Sequence, residues 1–467
     1  MAASARKAAV ELVEGAELDL DEPFAPVAPL PSRSWWDRLV RGWPIALVAV
    51  ALVGVFVLVQ VRESSRTEAR LEALRAQLGY LEGIGPQMGV LWSVDMEPDE
   101  HLVGSTEDLA FMTGDDGVFR VVDLTTGAER WRVDPELGFQ TYCAGSAEGP
   151  DGSTQVSCER YPAGGIEGAD RSGYSIERRD AMTGEVLEVR ELGDHRYLAW
   201  WGSGVLVLDA GGAGLELRRE GLDGVVQWRL PVAGDPGSVA AWVDSVNDVA
   251  VVHAGRHLVV DRDGSVVLDV PEQADLGATG SEWLVPRRDG TFVRTSYVDG
   301  GERVEVLDSH GAHSFSARGY VAAPLVDDAT VPGLVVVHEP WGIAVWDVAT
   351  GETVVELDGA EHGDTLLLHG ALVYQVEGEL RAVDVRTGEE RWHTRLDAPS
   401  LLGSDGDVVL YAHPGDPREL RAISARTGAL AWTYPVGDAT FPMVHSGSLL
   451  IYDGQALVRL GTRGSSA

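Results

Sequence analysis

The chain of 467 residues has very little lysine, asparagine or cysteine, and few basic residues of any kind. Lys7 is the only lysine, Asn247 is the only asparagine, and Cys143 and Cys158 are the only cysteines. The resulting dependence on arginine is typical of a GC-rich, actinobacterial genome. With 37 basic against 73 acidic residues, the formal net charge is −36. Because nucleic-acid backbones are bound by clustered Lys and Arg, this charge argues strongly against nucleic-acid binding.

Sequence patterns of common enzyme and metal sites are also missing. There is no G-x-S-x-G nucleophile elbow and no phosphate-binding loop. Asp261-Arg-Asp-Gly-Ser265 has too few spaced acidic residues for a calcium loop and is interpreted as a turn. His253 with His257, and His310 with His313, suggest zinc, but no third ligand is indicated, so we expect solvent-facing histidines. The sequence therefore predicts no catalytic residue and no metal site.

The N-terminal part is predicted to be a disordered tail followed by a membrane anchor. Residues 1–43 are rich in Ala, Glu, Asp and Pro and lack any periodicity, which is typical of a disordered cytoplasmic tail. A short motif for a cytoplasmic partner is the alternative. Residues 44–61 are apolar except for Pro44 and Gln60 and are long enough for a transmembrane helix. The small-x-small cleavage pattern is missing, so this segment is expected to be an uncleaved signal anchor.

A helical stalk is predicted over residues 62–85. Leu71, Leu74, Leu78 and Leu81 follow 3-4-3 spacing over about two heptads, shorter than coiled coils usually need. The alternatives are dimerisation through this seam, or a helix that packs on the following domain or lies on the membrane surface. Gly83, Gly85 and Pro86 end the predicted helix.

A repeated phrase organises the rest of the chain. Asp384-Val-Arg-Thr-Gly-Glu-Glu-Arg-Trp392 has near-copies at Asp123–Trp131 and Ser424–Trp432. The turn glycines of eight such phrases are 57, 40, 40, 47, 40, 37 and 40 residues apart. They are Gly127, Gly184, Gly224, Gly264, Gly311, Gly351, Gly388 and Gly428. A period near 40 with short alternating strands predicts an all-β propeller with one four-stranded blade per repeat.

A large side chain is expected four residues after each turn glycine, where it would fill the gap between neighbouring blades. The residues at these docking positions are Trp131, Glu188, Trp228, Leu268, Phe315, Val355, Trp392 and Trp432. Glu188 does not fit, and we expect Leu187 to replace it. The turn itself needs positive φ, which the Thr-Gly or Asp-Gly pair supplies.

The two ends of the repeat region, residues 88–461, are predicted to complete one blade together. Val90–Asp95 resembles a final strand without its own preceding strands, and Phe441–Leu460 supplies three strands that lack a final one. Pairing them would remove an open sheet edge. The literal count is nine, but we expect one weak phrase near residues 229–315 to be irregular and predict eight blades, within a range of seven to nine. Residues 462–467 are expected to be disordered.

The pattern Asp-x-x-Thr-Gly-x-x-x-Trp in units of about 40 residues resembles the PQQ-like, quinoprotein-type β-propeller repeat. That family includes quinone-dependent alcohol dehydrogenases and the periplasmic propeller of the outer-membrane barrel assembly machinery, which is a non-enzymatic scaffold. The dehydrogenase branch carries adjacent cysteines, with Glu, Asn and Asp around calcium. Here Cys143 and Cys158 are not adjacent and Asn247 is the only asparagine, so the resemblance implies the non-enzymatic branch without a cofactor.

Cys143 and Cys158 lie in the longest repeat, at what look like two neighbouring strand ends. A disulfide there would stabilise the fold by about 3 kcal/mol and would fit an oxidising extracytoplasmic compartment. Two buried thiols and a metal pair are the alternatives. The cysteine pair and the short N-terminal tail favour a cytoplasmic N-terminus and an extracytoplasmic propeller.

The sequence thus predicts a membrane-anchored, extracytoplasmic, non-enzymatic scaffold that binds a protein or cell-envelope partner. A ligand-binding sensor that signals through the cytoplasmic tail is one alternative, and a PQQ-dependent dehydrogenase-like enzyme is another. Trp200, Trp201 and Trp341 are expected mainly in core packing, with a partner surface as the second interpretation.

Overall fold

Antiparallel sheets of four strands, one of them extended by a short parallel strand, make up most of the part of the chain that the structure describes. The computed structural model describes residues 74–462, apart from gaps at 76, 78, 107, 115–116, 135–138, 149–153, 163–173, 192–196, 212–213, 235–238, 245–246, 273–280, 288, 299–300, 362, 397–399, 415–417 and 438–439. The predicted tail, the apolar segment 44–61 and residues 463–467 lie outside these ranges. Within them, no helix is both long and apolar enough to cross a membrane.

The strands are grouped below into blades 1–9 in chain order. The first strand, β1 (Met88–Asp95), belongs to blade 9. Blade 1 contains β2 (His101–Ser105), β3 (Leu109–Thr113), β4 (Phe119–Asp123) and β5 (Glu129–Val133). Blade 2 contains β6 (Phe139–Glu148), β7 (Thr154–Pro162), β8 (Ser175–Asp180) and β9 (Val186–Glu191). Blade 3 contains β10 (Tyr197–Trp201), β11 (Gly204–Gly211), β12 (Gly214–Gly221) and β13 (Val226–Val232).

The next three blades follow the same order, with one extra short strand. Blade 4 contains β14 (Ala240–Asp244), β15 (Val249–His253), β16 (Arg256–Asp261) and β17 (Val266–Pro271). Blade 5 contains β18 (Glu282–Pro286), β19 (Phe292–Val298), β20 (Gly301–Leu307) and β21 (His313–Arg318). Blade 6 contains β22 (Tyr320–Ala322), β24 (Leu334–Glu339), β25 (Gly342–Asp347) and β26 (Glu352–Asp358), while β23 (Val326–Asp327) pairs in parallel with blade 7.

The last three blades complete the series. Blade 7 contains β27 (Leu366–Leu368), β28 (Ala371–Val376), β29 (Glu379–Asp384) and β30 (Glu390–Arg395). Blade 8 contains β31 (Ser400–Ser404), β32 (Val408–His413), β33 (Glu419–Ser424) and β34 (Leu430–Pro435). Blade 9 contains β35 (Phe441–His445), β36 (Ser448–Tyr452) and β37 (Ala456–Thr462), with β1 as its fourth strand.

The blade number is nine within the described residues, so the predicted number of eight was wrong. The region expected to be irregular instead forms two complete sheets, blades 4 and 5. Their phrases lack tryptophan, but Leu268 and Phe315 occupy the docking positions and are buried. An aliphatic or phenyl side chain therefore fills the same gap, and the weak sequence signal conceals a regular blade.

Hydrophobic cores lie between successive blades and close the ring. Val293 and Phe315 of blade 5, for example, pack in one cluster with Val335 and Val337 of blade 6. Such clusters join each blade to the next from blade 1 to blade 9. A further cluster contains Trp92 of β1 and residues of blades 1 and 9. The predicted closure by the N-terminal strand is thus confirmed, because β1 pairs with β37 along its length.

The turn glycines of the repeat have two roles. All eight have positive φ, between 66° and 86°. A methyl group added at Gly184 would come 2.6 Å from Cδ2 of Trp131, because the docking tryptophan of one blade packs on the turn glycine of the next. The Trp131 indole N–H also donates to the Ala181 carbonyl in that turn, at 2.9 Å. Trp92 with Leu124 and Trp392 with Ala425 repeat this contact.

Blade 2 uses a different residue for this contact. Leu187 is exposed and does not replace Glu188, contrary to the prediction. Instead Arg190, which is paired with Glu188, donates from Nη2 to the Leu222 carbonyl in the next phrase turn, at 3.1 Å. A guanidinium donor on a long side chain therefore replaces the indole N–H.

The predicted stalk packs on the ring. Leu74 and Arg75 are helical, but the described residues from Gln77 to Gly83 are not, so the predicted helix does not continue to Glu82. Leu74 packs in the core of blades 7 and 8, and Leu81 packs between blades 8 and 9. The Leu81 backbone N–H also donates to the Ser404 carbonyl. Two of the four seam leucines are thus buried within this chain and cannot form a dimer seam.

Candidate functional site

The candidate site is a histidine pair at one edge of blade 4. His253 ends β15, His257 is the second residue of β16, and the two are direct cross-strand partners. Opposite residues of an antiparallel pair point to the same side of the sheet, so the two imidazoles meet. The turn between them contains Gly255, whose φ of 76° suits glycine.

The two imidazoles are buried, which corrects the expectation of solvent-facing histidines at this position. His253 is 7% exposed and His257 is 0% exposed. The side of β15 and β16 that carries them faces the gap between blades 4 and 5, where Glu282 of β18 contacts His257. The other pair, His310 and His313, is exposed as predicted.

Hydrogen bonds join these side chains in a chain of three groups. Nδ1 of His257 lies 3.1 Å from Nε2 of His253, and Nε2 of His257 contacts Oε1 of Glu282. If a neutral His257 donates its Nε2–H to the carboxylate, its Nδ1 is an acceptor and His253 donates. Burial and the neighbouring His257 lower the pKa of His253 to about 3, so this imidazole is neutral near pH 7.

Aromatic rings extend the site towards the surface. The Trp242 ring centroid lies 5.0 Å from that of His253, and the Trp283 centroid lies 5.8 Å from His253 and 6.0 Å from Trp242. Trp283 is about half exposed. A continuous aromatic group therefore leads from the buried imidazoles to solvent.

Charged groups on blade 5 surround Glu282. Nε of Arg294 lies 3.8 Å from Oε1 of Glu282 and 3.0 Å from Oε2 of Glu305, and Arg303 also pairs with Glu305. Glu282 and Glu305 are both buried. Because an isolated buried carboxylate is costly, Arg294 stabilises both side chains in this position.

Glu272 is the third potential metal ligand of this group, and the sequence alone does not indicate it. It follows β17, whose Pro271 pairs with Arg256, and this pairing brings Glu272 beside the histidines. Donor atoms of His253, His257 and Glu272 all lie within 4.8 Å of one another. Glu272 and Glu282 are separated from the histidines by 15 to 29 residues, and only strand pairing and blade packing bring them together.

One face of the ring contains this site and most of the exposed aromatic residues. We call it the upper face, where the first strand of each blade starts and the second strand turns into the third. Of five exposed aromatic side chains among the described residues, four lie there, the fifth being Tyr142 within β6. They are Trp283, Tyr297, Trp341 and Phe441. On the opposite, lower face, exposed apolar residues beside the phrase turns are aliphatic, such as Val225 and Leu430.

The predicted tryptophan positions divide between core and surface. Trp200 and Trp201 are buried, as expected. Trp341 is 75% exposed in the turn between β24 and β25, so the expectation of core packing was wrong for this residue. It lies in the tight turn that joins the two strands, beyond Val337 and Ile343, which pack against the neighbouring blades.

Two other predicted sites have structural roles. Cys143 and Cys158 are direct cross-strand partners joined by a disulfide, with Cα atoms 3.9 Å apart. Both lie in the core between blades 1 and 2. Asp261 accepts hydrogen bonds from the backbone N–H groups of Asp263 and Ser265, as a turn residue does.

The phrase turns, docking side chains and closed ring define a β-propeller. Residues 331–465, which cover most of blade 6 and blades 7–9, match the family model described as outer membrane protein assembly factor BamB. No curated protein sequence is significantly similar to the chain.

Three solved structures illustrate the structural similarity. BamB from Moraxella catarrhalis has 14% identity and a TM-score of 0.40, covering 80% of this chain and 99% of that one. The C-terminal WD40 domain of Sif2 has 12% identity and a TM-score of 0.42, covering 82% and 100%. Quinohemoprotein alcohol dehydrogenase from Comamonas testosteroni has 14% identity and a TM-score of 0.38, covering 82% and 77%. The nine-bladed architecture is established by this chain's own strands and cores.

Proposed function

We propose that this protein is a non-enzymatic propeller, anchored in a membrane by residues 44–61, that binds a protein partner through its upper face outside the cytoplasm. The observation that carries the proposal is the set of exposed aromatic side chains on that face. Tryptophan and tyrosine are enriched among the residues that dominate binding energy at protein interfaces. The matched family's description as an assembly factor for outer membrane proteins supports a protein partner.

The ring suits this role because its aromatic residues are held on a rigid frame. Trp283 is the second residue of β18, and Trp341 lies in a tight turn between β24 and β25. Little backbone ordering is therefore needed on binding, which reduces the entropic cost of association. Because the chain has a net charge of −36, we expect a partner whose apolar contact residues are surrounded by basic ones.

Site-specific photo-crosslinking in native membranes tests the proposed face. A photoreactive amino acid replaces Trp341 on the upper face or, as a matched control, Leu430 on the lower face. Leu430 is 61% exposed, against 75% for Trp341. We expect one discrete crosslinked protein from position 341, weakened by Trp283→Ala, and none from position 430. Equal crosslinking from both positions, or none from position 341, would contradict the proposal.

The same crosslinked samples separate the alternatives for location and function. Envelope proteins crosslinked to position 341, with Cys143 and Cys158 oxidised by intact mass, would support an extracytoplasmic propeller. Cytoplasmic proteins at position 341, with both thiols free, would overturn the orientation. In a further sample with the photoreactive residue placed within residues 1–43, a crosslinked cytoplasmic protein would favour the sensor. A copurifying quinone would favour the dehydrogenase.

A further inference from the structure

We propose that His253, His257 and Glu272 form a binding site for one divalent transition-metal ion of the zinc class. The site lies at the upper face of blade 4, beside blade 5. It does not depend on the proposed protein partner, so either proposal can fail without the other.

The donor atoms are of the correct type and close to the required spacing. Two imidazoles and a carboxylate form a His₂Glu set, which zinc accepts with a fourth position left for water or another donor. Bonds of about 2.0–2.2 Å in a tetrahedron place neighbouring ligand atoms roughly 3.3–3.6 Å apart. The two imidazole nitrogens are 3.1 Å apart, and the whole set lies within 4.8 Å. Small side-chain rotations would therefore complete the coordination.

The surroundings of His257 resemble the outer shell of a metal site. A metal-bound histidine usually donates its other ring N–H to a carboxylate, which fixes the tautomer and the ring orientation. Glu282 contacts Nε2 of His257 in this way, while Nδ1 faces His253. In this tautomer the lone pair of His257 Nδ1 is directed towards His253 and is the donor that a metal ion would use.

A purely hydrogen-bonded histidine pair is the competing interpretation. It would account for the 3.1 Å contact between the two rings and for their burial. It does not account for Glu272, whose carboxylate joins the group from a separate strand end. A metal ion would replace the proton that one imidazole donates to the other, and it would connect the β15–β16 turn to Glu272 at the end of β17.

Metal binding by the full-length chain tests the site. The protein in detergent is treated with EDTA, dialysed, and titrated with Zn²⁺ by calorimetry, with metal content measured after a second dialysis. We expect one bound equivalent. Co²⁺ should give visible absorption bands typical of tetrahedral nitrogen and oxygen ligation.

Variants locate the ion within the chain. Glu272→Gln is the main variant because Glu272 is not buried, and its loss should weaken Zn²⁺ binding at least tenfold. Glu282→Gln should weaken binding 10–100-fold, as outer-shell changes do. The double variant His310→Gln/His313→Gln removes an exposed histidine pair and should leave the affinity unchanged. Near-UV circular dichroism confirms that each variant is folded.

Two results would overturn the proposal. One is a wild-type chain that retains less than about a tenth of an equivalent of Zn²⁺ after dialysis. The other is undiminished Zn²⁺ affinity in folded Glu272→Gln, especially if the His310/His313 variant loses the ion instead.

Discussion

At the residue scale, the repeat phrase depends on a few backbone-directed contacts. The Asp384 carboxylate accepts hydrogen bonds from the backbone N–H groups of Arg386 and Thr387 and from the Arg391 guanidinium. The turn glycine four residues later provides the positive φ and the bare Cα on which the preceding blade packs. One short phrase thus combines turn formation and blade docking.

The two roles of the turn glycine can be separated by mutation. In Gly184→Ala the new methyl group would collide with Trp131, and the alanine would also have to adopt the positive φ of this position. Gly290→Ala is the control, because Gly290 has a φ of 81° but open space around its Cα. We expect the free energy of unfolding to fall by about 1–2 kcal/mol in the control and by a further 1–3 kcal/mol in Gly184→Ala. If chemical unfolding gave the same loss of stability for both variants, the contact with Trp131 would not restrict the residue at position 184.

The phrase aspartate predicts a pH dependence of stability. The Arg391 guanidinium and the Arg386 backbone N–H hold the pKa of Asp384 below its usual value. The folded state therefore favours the ionised form, and this contribution is present above about pH 4 and lost as the pH falls through the lowered pKa.

Asp384→Asn tests this charge contribution. Asparagine keeps a hydrogen-bond acceptor but removes the charge, so we expect the free energy of unfolding to fall by about 1 kcal/mol at pH 6. The difference from wild type in unfolding free energy should shrink between pH 4 and pH 3. A constant difference over this range would assign the effect to packing.

At the element scale, the segment before the propeller packs between blades, and one blade uses a different side chain for the docking contact. Leu74 and Leu81 follow the 3-4-3 pattern of a dimer seam, yet both pack inside blades 7–9. Arg190 replaces the missing docking tryptophan of blade 2 through a guanidinium donor. Hydrophobic spacing alone does not distinguish a partner helix from the surface of the same chain.

Leu81→Ala distinguishes these two roles for the stalk. Leu81 is fully buried, so we expect the variant to lower the free energy of unfolding by about 2–5 kcal/mol. Chemical unfolding measures stability, and light scattering measures the oligomeric state, which should not change. Unchanged stability with a smaller oligomer would instead support the coiled coil.

At the scale of the whole molecule, the ring is closed by one N-terminal strand. β1 pairs with β37 and places Trp92 against the turn glycine of blade 1, Gly127. The first and last described strands of the propeller thereby share one sheet. Closure buries the facing sides of blades 9 and 1 against each other, in the hydrophobic cluster that contains Trp92.

Trp92→Ala should destabilise the contact between blades 9 and 1 in particular, because Trp92 belongs to the hydrophobic cluster that joins them. We expect the free energy of unfolding to fall by about 3–5 kcal/mol. The mutation should accelerate hydrogen exchange more in β1 and β37 than in blades 4 and 5. Trp341→Ala is the control, since Trp341 is mostly exposed and its loss should change stability by less than about 0.5 kcal/mol. Uniform acceleration in every blade would show that the ring opens globally.

The sequence by itself determined the repeat, the propeller class and the pairing of the two chain ends, because turn glycines and alternating strands are local signals. It also placed the two cysteines on neighbouring strands. These features depend on residues close together in the chain, where spacing is informative.

Only the tertiary structure decided the ninth blade, the packing of Leu81 and the site at His253 and His257. Leu268 and Phe315 give a weak phrase, although their burial between blades is as complete as that of tryptophan. Glu272 and Glu282 reach the histidines through a strand pairing and a blade interface that no local spacing encodes. Burial depends on which surfaces meet, and that is set by the closed ring as a whole.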